Sequence, residues 1–101
     1  MNKIQITPES GFRVLSSTSR SQVATMVIPP GGSTGGPNNK HAASDQWLYV
    51  LSGEGEATVN GKEIRFHPGT LLLIESGETH EIRNLGNEPL ETLNIYAPPA
   101  Y

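Results

Sequence analysis

Apolar and polar residues alternate along this chain in short runs, separated by turn residues at fairly even spacing. Alternation with period two marks a half-buried strand, and no stretch repeats its apolar residues at helical spacing. Residues 12–15 form a first short run. Residues 22–28 form a second, with Val23, Thr25 and Val27 set against Ala24, Met26 and Ile28, and Pro29-Pro30-Gly31-Gly32 ends it. Residues 31–40, rich in Gly, Ser, Asn and Pro, are expected to make a long polar loop. The glycines of that loop lack the Gly-Lys-Ser/Thr and the following helix that a phosphate loop needs. Residues 46–51 are the strongest strand, and Gly53 and Gly55 interrupt the pattern as a bulge or tight bend. Residues 57–59 continue it. Asn60-Gly61 is the best hairpin turn, because both residues tolerate positive φ. Residues 62–66 return, His67-Pro68-Gly69 turns, and residues 70–74 are nearly continuously apolar. After Ser76-Gly77-Glu78 come strands at 80–84 and 91–97, split by Leu85-Gly86-Asn87. Pro98-Pro99-Ala100-Tyr101 cannot extend a sheet. The pattern predicts an all-β sandwich or barrel.

Length and composition narrow this picture. At 101 residues the chain predicts one domain over 1–101 with one modest core. Apolar residues make up 35%, which suits strands that bury alternate positions only. Burial per residue is thin at this size, so pairing with a second copy as a homodimer is expected. Eleven glycines and eight prolines supply the turns. The net charge of -3 and the absence of any Lys/Arg cluster argue against nucleic acid. No cysteine is present, which excludes disulfides, thiolate nucleophiles and Cys-ligated zinc. The first six residues hold no apolar run suited to a signal peptide, and the longest apolar run, 71–74, is far too short to span a bilayer. A cytoplasmic protein with no membrane partner is expected.

Candidate chemistry centres on three histidines, since imidazole is the commonest metal ligand and the usual acid or base near neutral pH. His67, beside Pro68-Gly69, reads as an exposed turn residue. His41 lies just ahead of the strongest strand, and His80 opens a later one. Glu54 and Glu56 are two apart, but a solvated face suits them better than a catalytic pair. Glu75 and Glu78 read as exposed loop charges in the turn before His80. No Gly-x-Ser-x-Gly elbow and no His-Glu-x-x-His occurs.

The spacing around His41 and His80 gives them further meaning. Asn39-x-His41, four residues, Gln46, six residues and Gly53 lie within residues 39–55. This resembles the first motif of the cupin superfamily, where His-x-His, four residues, Glu, six residues and Gly are expected. Gly69, five residues, Glu75-x-Gly77, two residues, His80, three residues and Asn84 lie within residues 69–84. This resembles the second cupin motif, with Glu75 in place of Pro. The resemblance implies a double-stranded β-helix, a jelly-roll barrel, with four ligand positions pointing inward. Those positions hold Asn39, His41, Gln46 and His80 here. Strand alternation agrees: Gln46, Leu48 and Val50 share one face, with Trp47, Tyr49 and Leu51 opposite, and His80, Ile82 and Asn84 share another.

Many metal-bearing cupins resemble three His plus one Glu at these positions. Two imidazoles and two amides would instead be a neutral set, weakest for hard cations. The set suits a divalent transition metal such as Zn, Ni, Fe, Mn or Cu. The cupin resemblance implies a pocket for a small molecule, with oxygenase, isomerase and lyase chemistry all open. The alternative is a metal-free module that binds or senses a small metabolite through the same polar groups. Trp47, Tyr49 and Leu51 would either cover the barrel's outer face or bury against a partner subunit.

Overall fold

The computed structural model describes residues 1–40 and 43–101, with the backbone alone for 36–40. The described residues form nine strands and no helix. They are β1 (Gly11–Ser17), β2 (Gln22–Ile28), β3 (Ser33–Lys40), β4 (Asp45–Ser52), β5 (Gly55–Val59), β6 (Lys62–Phe66), β7 (Leu71–Ile74), β8 (Thr79–Asn84) and β9 (Leu90–Ala97). Five strands make one antiparallel sheet in the order β1-β2-β9-β4-β7, and four make the other in the order β3-β8-β5-β6. This is the jelly-roll arrangement of two facing sheets.

The core lies between the sheets, as the alternation requires. Met26, Ile28, Leu48, Val50, Ile74 and Leu90 come from the first sheet, and Ala57, Val59, Phe66 and Ile82 from the second. Each of these side chains except that of Ala57 contributes roughly 1.5–3 kcal/mol when fully buried. β4 follows the expected phase: Gln46, Leu48 and Val50 are buried, while Trp47, Tyr49 and Leu51 face out. In β8 His80, Ile82 and Asn84 are buried likewise. The Asn60-Gly61 turn joins β5 to β6 with φ of 48° and 78°, as a two-residue hairpin demands.

One expectation fails. Residues 31–40 do not stay a loop: β3 occupies Ser33–Lys40 and pairs with β8. Its polar, glycine-rich sequence carries no alternation to read. The strand exists because β8 offers it a ladder, from Ser33↔Arg83 to Gly36↔His80. β3 lies at the edge of its sheet, where Pro37 costs no central hydrogen bond. A register shift separates Gly36 from Lys40, a bulge that fits a strand with two adjacent glycines.

Gly53 and Asn84 hold the end of the barrel opposite His80. Gly53 has a φ of 89°, and a Cβ there would sit 2.6 Å from the Pro89 carbonyl oxygen. Asn84 is buried and binds on three sides. Its Nδ2 donates to the carbonyls of Ile28 (2.9 Å) and Glu88 (2.8 Å), and its Oδ1 accepts from the Gly86 amide (2.8 Å).

Candidate functional site

Cross-strand register builds the polar end of the barrel. β2, β9 and β4 place Gln22, Tyr96 and Gln46 side by side on the inner face. The next inward row along these strands is Ala24, Asn94 and Leu48, and the one after is Met26, Thr92 and Val50. Opposite them β8 brings in His80 and Ile82. Between the sheets lies a cavity of about 260 Å³. Thr34, Gln46, His80 and Asn94 form its polar lining, and Phe12, Met26, Ile82, Tyr96 and Tyr101 the apolar and aromatic remainder. Larger hollows of about 400 and 420 Å³ lie among turn residues and beside the first residues of the chain. Chemistry, rather than volume, singles out the interior cavity.

Asn94 and His80 have hydrogen-bond partners. Thr92 Oγ1 donates to Asn94 Oδ1 (3.1 Å), and Asn94 Nδ2 donates to Tyr96 Oη (3.4 Å). His80 Nδ1 lies 3.5 Å from the Glu78 carbonyl. The Gln46 Oε1 atom is buried and has no hydrogen-bond partner among the described residues. A buried acceptor left in this state costs about 1–3 kcal/mol; Thr25 Oγ1 is in the same state outside the cavity lining, and what sets Gln46 apart is that it faces the cavity.

The described lining carries no formal charge near neutral pH. Burial depresses the His80 pKa, against a smaller opposing effect of the Glu78 carbonyl. Burial raises the Tyr96 phenol, with smaller contributions from Tyr101. The depressed His80 pKa has a stability consequence. Between its folded value and 6.5 the unfolded chain binds more protons, so stability is full above 6.5 and is lost as pH falls through that window. In chelator-treated protein, the drop in melting temperature from pH 7.5 to 5.5 is expected to shrink in His80→Asn. An unchanged pH slope would remove His80 from this role.

Of the expected ligand residues, Gln46 and His80 meet in the cavity. Asn39 belongs to β3 by its backbone, while its side chain, and all of His41, lie outside the described residues. Among the described residues, no three His, Cys, Asp or Glu side chains cluster as a metal site would require. Glu78 does not turn inward. Its Oε1 accepts from the Glu75 amide (2.7 Å) and its Oε2 from Asn60 Nδ2 (2.8 Å). Glu75 and His67 are exposed, as expected. Glu56 pairs with Arg83, which also pairs with Glu81 and donates to Thr58. Asn94, Tyr96 and Tyr101 were not expected in the site. A signal existed for two of them: in 90–97 the polar Thr92 and Asn94 share the face of Leu90 and Tyr96.

A family model described as a cupin domain matches residues 24–96. The chain belongs to the cupin family. Among curated relatives, this cupin is 40% identical over 72 residues to the oxalate-binding protein of Thermotoga maritima. The match covers 71% of this chain and 58% of that relative, so the chain spans little more than half the relative's length. Among solved structures, BH2720 of Bacillus halodurans is 31% identical with a TM-score of 0.86, over 91% of this chain and 73% of that one. A Thermotoga maritima protein described as a predicted oxalate decarboxylase is 37% identical with a TM-score of 0.71, over 77% and 66% of the two chains.

Proposed function

We propose that this cupin binds a small molecule in the interior cavity with the help of a divalent transition metal held by Asn39, His41, Gln46 and His80. The observation that carries the reading is the buried Gln46 Oε1, without a hydrogen-bond partner among the described residues, in one cavity with His80. A cation would satisfy that oxygen. The burial that keeps His80 neutral also keeps its imidazole available as a donor. Such an ion would supply Lewis-acid polarisation of a ligand oxygen. The neutral donor set leaves the ion's charge uncompensated, which favours an anionic ligand beside it. The relative named for oxalate binding makes small carboxylates the first ligands to test. Zn, Ni, Fe, Mn and Cu all suit imidazole and amide donors. Oxygenase, isomerase and lyase activities are the reactions to assay.

Elemental analysis of protein purified without an affinity tag tests this reading. Close to one equivalent of metal is expected, lost in His41→Ala and in His80→Ala. Metal far below one equivalent, with small carboxylates still bound, would favour a metal-free binding or sensing module. The neutral lining is the observation that favours this second reading, because a ligand's own donor could then satisfy Gln46 Oε1.

A homodimer through the outer face of the five-stranded sheet belongs to the same proposal. Two cross-strand rows there are apolar nearly throughout: Val23, Ile95, Trp47 and Leu73, then Thr25, Leu93, Tyr49 and Leu71. Trp47, Tyr49 and Leu71 are 40%, 40% and 57% exposed. The apolar part of this face lies over β9, β4 and β7, while the second row ends in Arg13 of β1 beside the buried Thr25; such a patch can meet its own copy across a two-fold axis. Sedimentation is expected to give a dimer that Trp47→Lys with Leu73→Lys converts to a monomer. A monomeric unsubstituted protein would end this proposal.

A further inference from the structure

Three of the chain's six aromatic residues, Phe12, Tyr96 and Tyr101, gather at the cavity. The Phe12 and Tyr101 ring centroids are 4.7 Å apart, those of Tyr96 and Tyr101 5.3 Å, and those of Phe12 and Tyr96 6.4 Å. Tyr101 comes from beyond β9, yet its backbone is firmly held. Gln22 Oε1 accepts from the amides of Ala100 (3.2 Å) and Tyr101 (3.0 Å), and Gln22 Nε2 donates to the Tyr101 carbonyl (2.8 Å). Gln22 is itself fixed, being 2% exposed and bonded to Ser17 Oγ at 2.8 Å.

The contrast between this anchoring and the rings' exposure is informative. Phe12 is 41% exposed and Tyr101 63% exposed, although both line the cavity. Here the buried Gln22 amide holds the Tyr101 backbone in place beside the cavity, while both residues stay partly open to solvent, an arrangement that preorganises a contact. At about 30 Å³ per water, the cavity holds about nine water volumes, space for a six-membered ring with a head group.

We propose that Phe12 and Tyr101 form a wall that packs against the flat, conjugated body of the ligand, whose polar head points to the end of the cavity where Gln46 and His80 sit, and that Gln22 is the residue that positions Tyr101 in this wall. The ligand class is a small arene or similarly planar ring with one polar head group. Aromatic pairing adds to plain area burial through the ring quadrupoles, so a flat ring is preferred over a saturated ring of the same size. The proposal rests on the cavity being the ligand site, and not on the metal.

Calorimetric titration with two matched pairs tests it. Benzoate against cyclohexanecarboxylate probes the metal-loaded protein, and benzamide against cyclohexanecarboxamide the chelator-treated protein. In at least one pair the flat member is expected to bind about five-fold tighter. Tyr101→Phe keeps that preference. Tyr101→Ala reduces it below about two-fold, with the melting temperature recorded to show that the fold persists. Gln22→Leu loses the preference while retaining the tyrosine ring, which a merely structural seal would not produce. Equal binding within both pairs, no binding in either, or a preference that survives Tyr101→Ala would overturn the proposal. Metal content is read separately. A flat-ring preference in protein that holds no metal would sink the metal proposal and leave this one standing.

Discussion

Replacing Asn84 with Leu is expected to lower the melting temperature by about 12 °C or more while leaving cavity binding intact in the folded protein. Leucine keeps the branched shape but makes none of the three hydrogen bonds, and its larger methyl groups cannot sit 2.8–2.9 Å from backbone oxygen and nitrogen as the amide does, so overpacking adds to the polar loss. The Asn84 amide holds backbone at three points: the end of β2 at Ile28, and the β8–β9 turn at both Gly86 and Glu88. Each buried bond contributes about 1 kcal/mol net, and a stranded buried group costs about 1–3 kcal/mol. Three bonds therefore give about 3 kcal/mol at the least. At 4–8 °C per kcal/mol for a domain near this size, that is the stated drop. Asn84→Asp is expected to be about as damaging. It keeps the acceptor for the Gly86 amide but places carboxylate oxygen against two carbonyls. Asn84 does not line the cavity, so ligand and metal binding measured well below the melting temperature should match the unsubstituted protein. A drop below about 4 °C would show that water or local rearrangement replaces these bonds.

This role separates what the sequence pattern disclosed from what it could not. Gly53, Gly69, Gly77 and Asn84 were visible as motif positions. The reasons lie in the backbone: left-handed φ of 89°, 94° and 82° at the glycines, and a three-way amide at Asn84. Alternation was enough to orient β4 and β8, because each presents one buried face against one exposed or half-buried face. β3 was invisible for the opposite reason, since a polar edge strand on a glycine-rich segment takes its conformation from its neighbour.

The site was legible in the same uneven way. Gln46 and His80 stood at spaced positions in strands of clear phase. Asn94 and Tyr96 sit in a strand whose phase was equally readable, but no spacing drew attention to it. Tyr101 depends on Gln22, seventy-nine positions earlier in the chain. Local pattern carries no trace of a contact between a strand's first residue and a distant tail, because it is made by side-chain amide geometry rather than by hydrophobic period.

Gln46→Glu is expected to move the stabilities of the apo and metal-bound protein in opposite directions. Gln46 is 3% exposed and its Oε1 has no partner among the described residues, so burial disfavours the charge of a carboxylate there when no metal is bound. It would be held protonated, and holding it so at pH 7 against an ordinary value near 4.3 costs up to about 3.7 kcal/mol. The folded state then binds the extra proton. The penalty is therefore small near pH 4.5 and grows as pH rises, so the chelator-treated variant should melt progressively below the parent from pH 5 to pH 7. With a divalent ion the same carboxylate supplies the negative charge that the neutral donor set lacks. Unit charges 4 Å apart interact by about 4 kcal/mol at an effective dielectric constant near 20. After the desolvation of the carboxylate is subtracted, a gain of at least about ten-fold in Zn²⁺ affinity remains, or about 1.4 kcal/mol. The shift in melting temperature on adding Zn²⁺ should grow accordingly. An apo penalty without any gain in metal affinity would place Gln46 in the cavity but away from the ion. The unpartnered oxygen would then belong to the organic ligand.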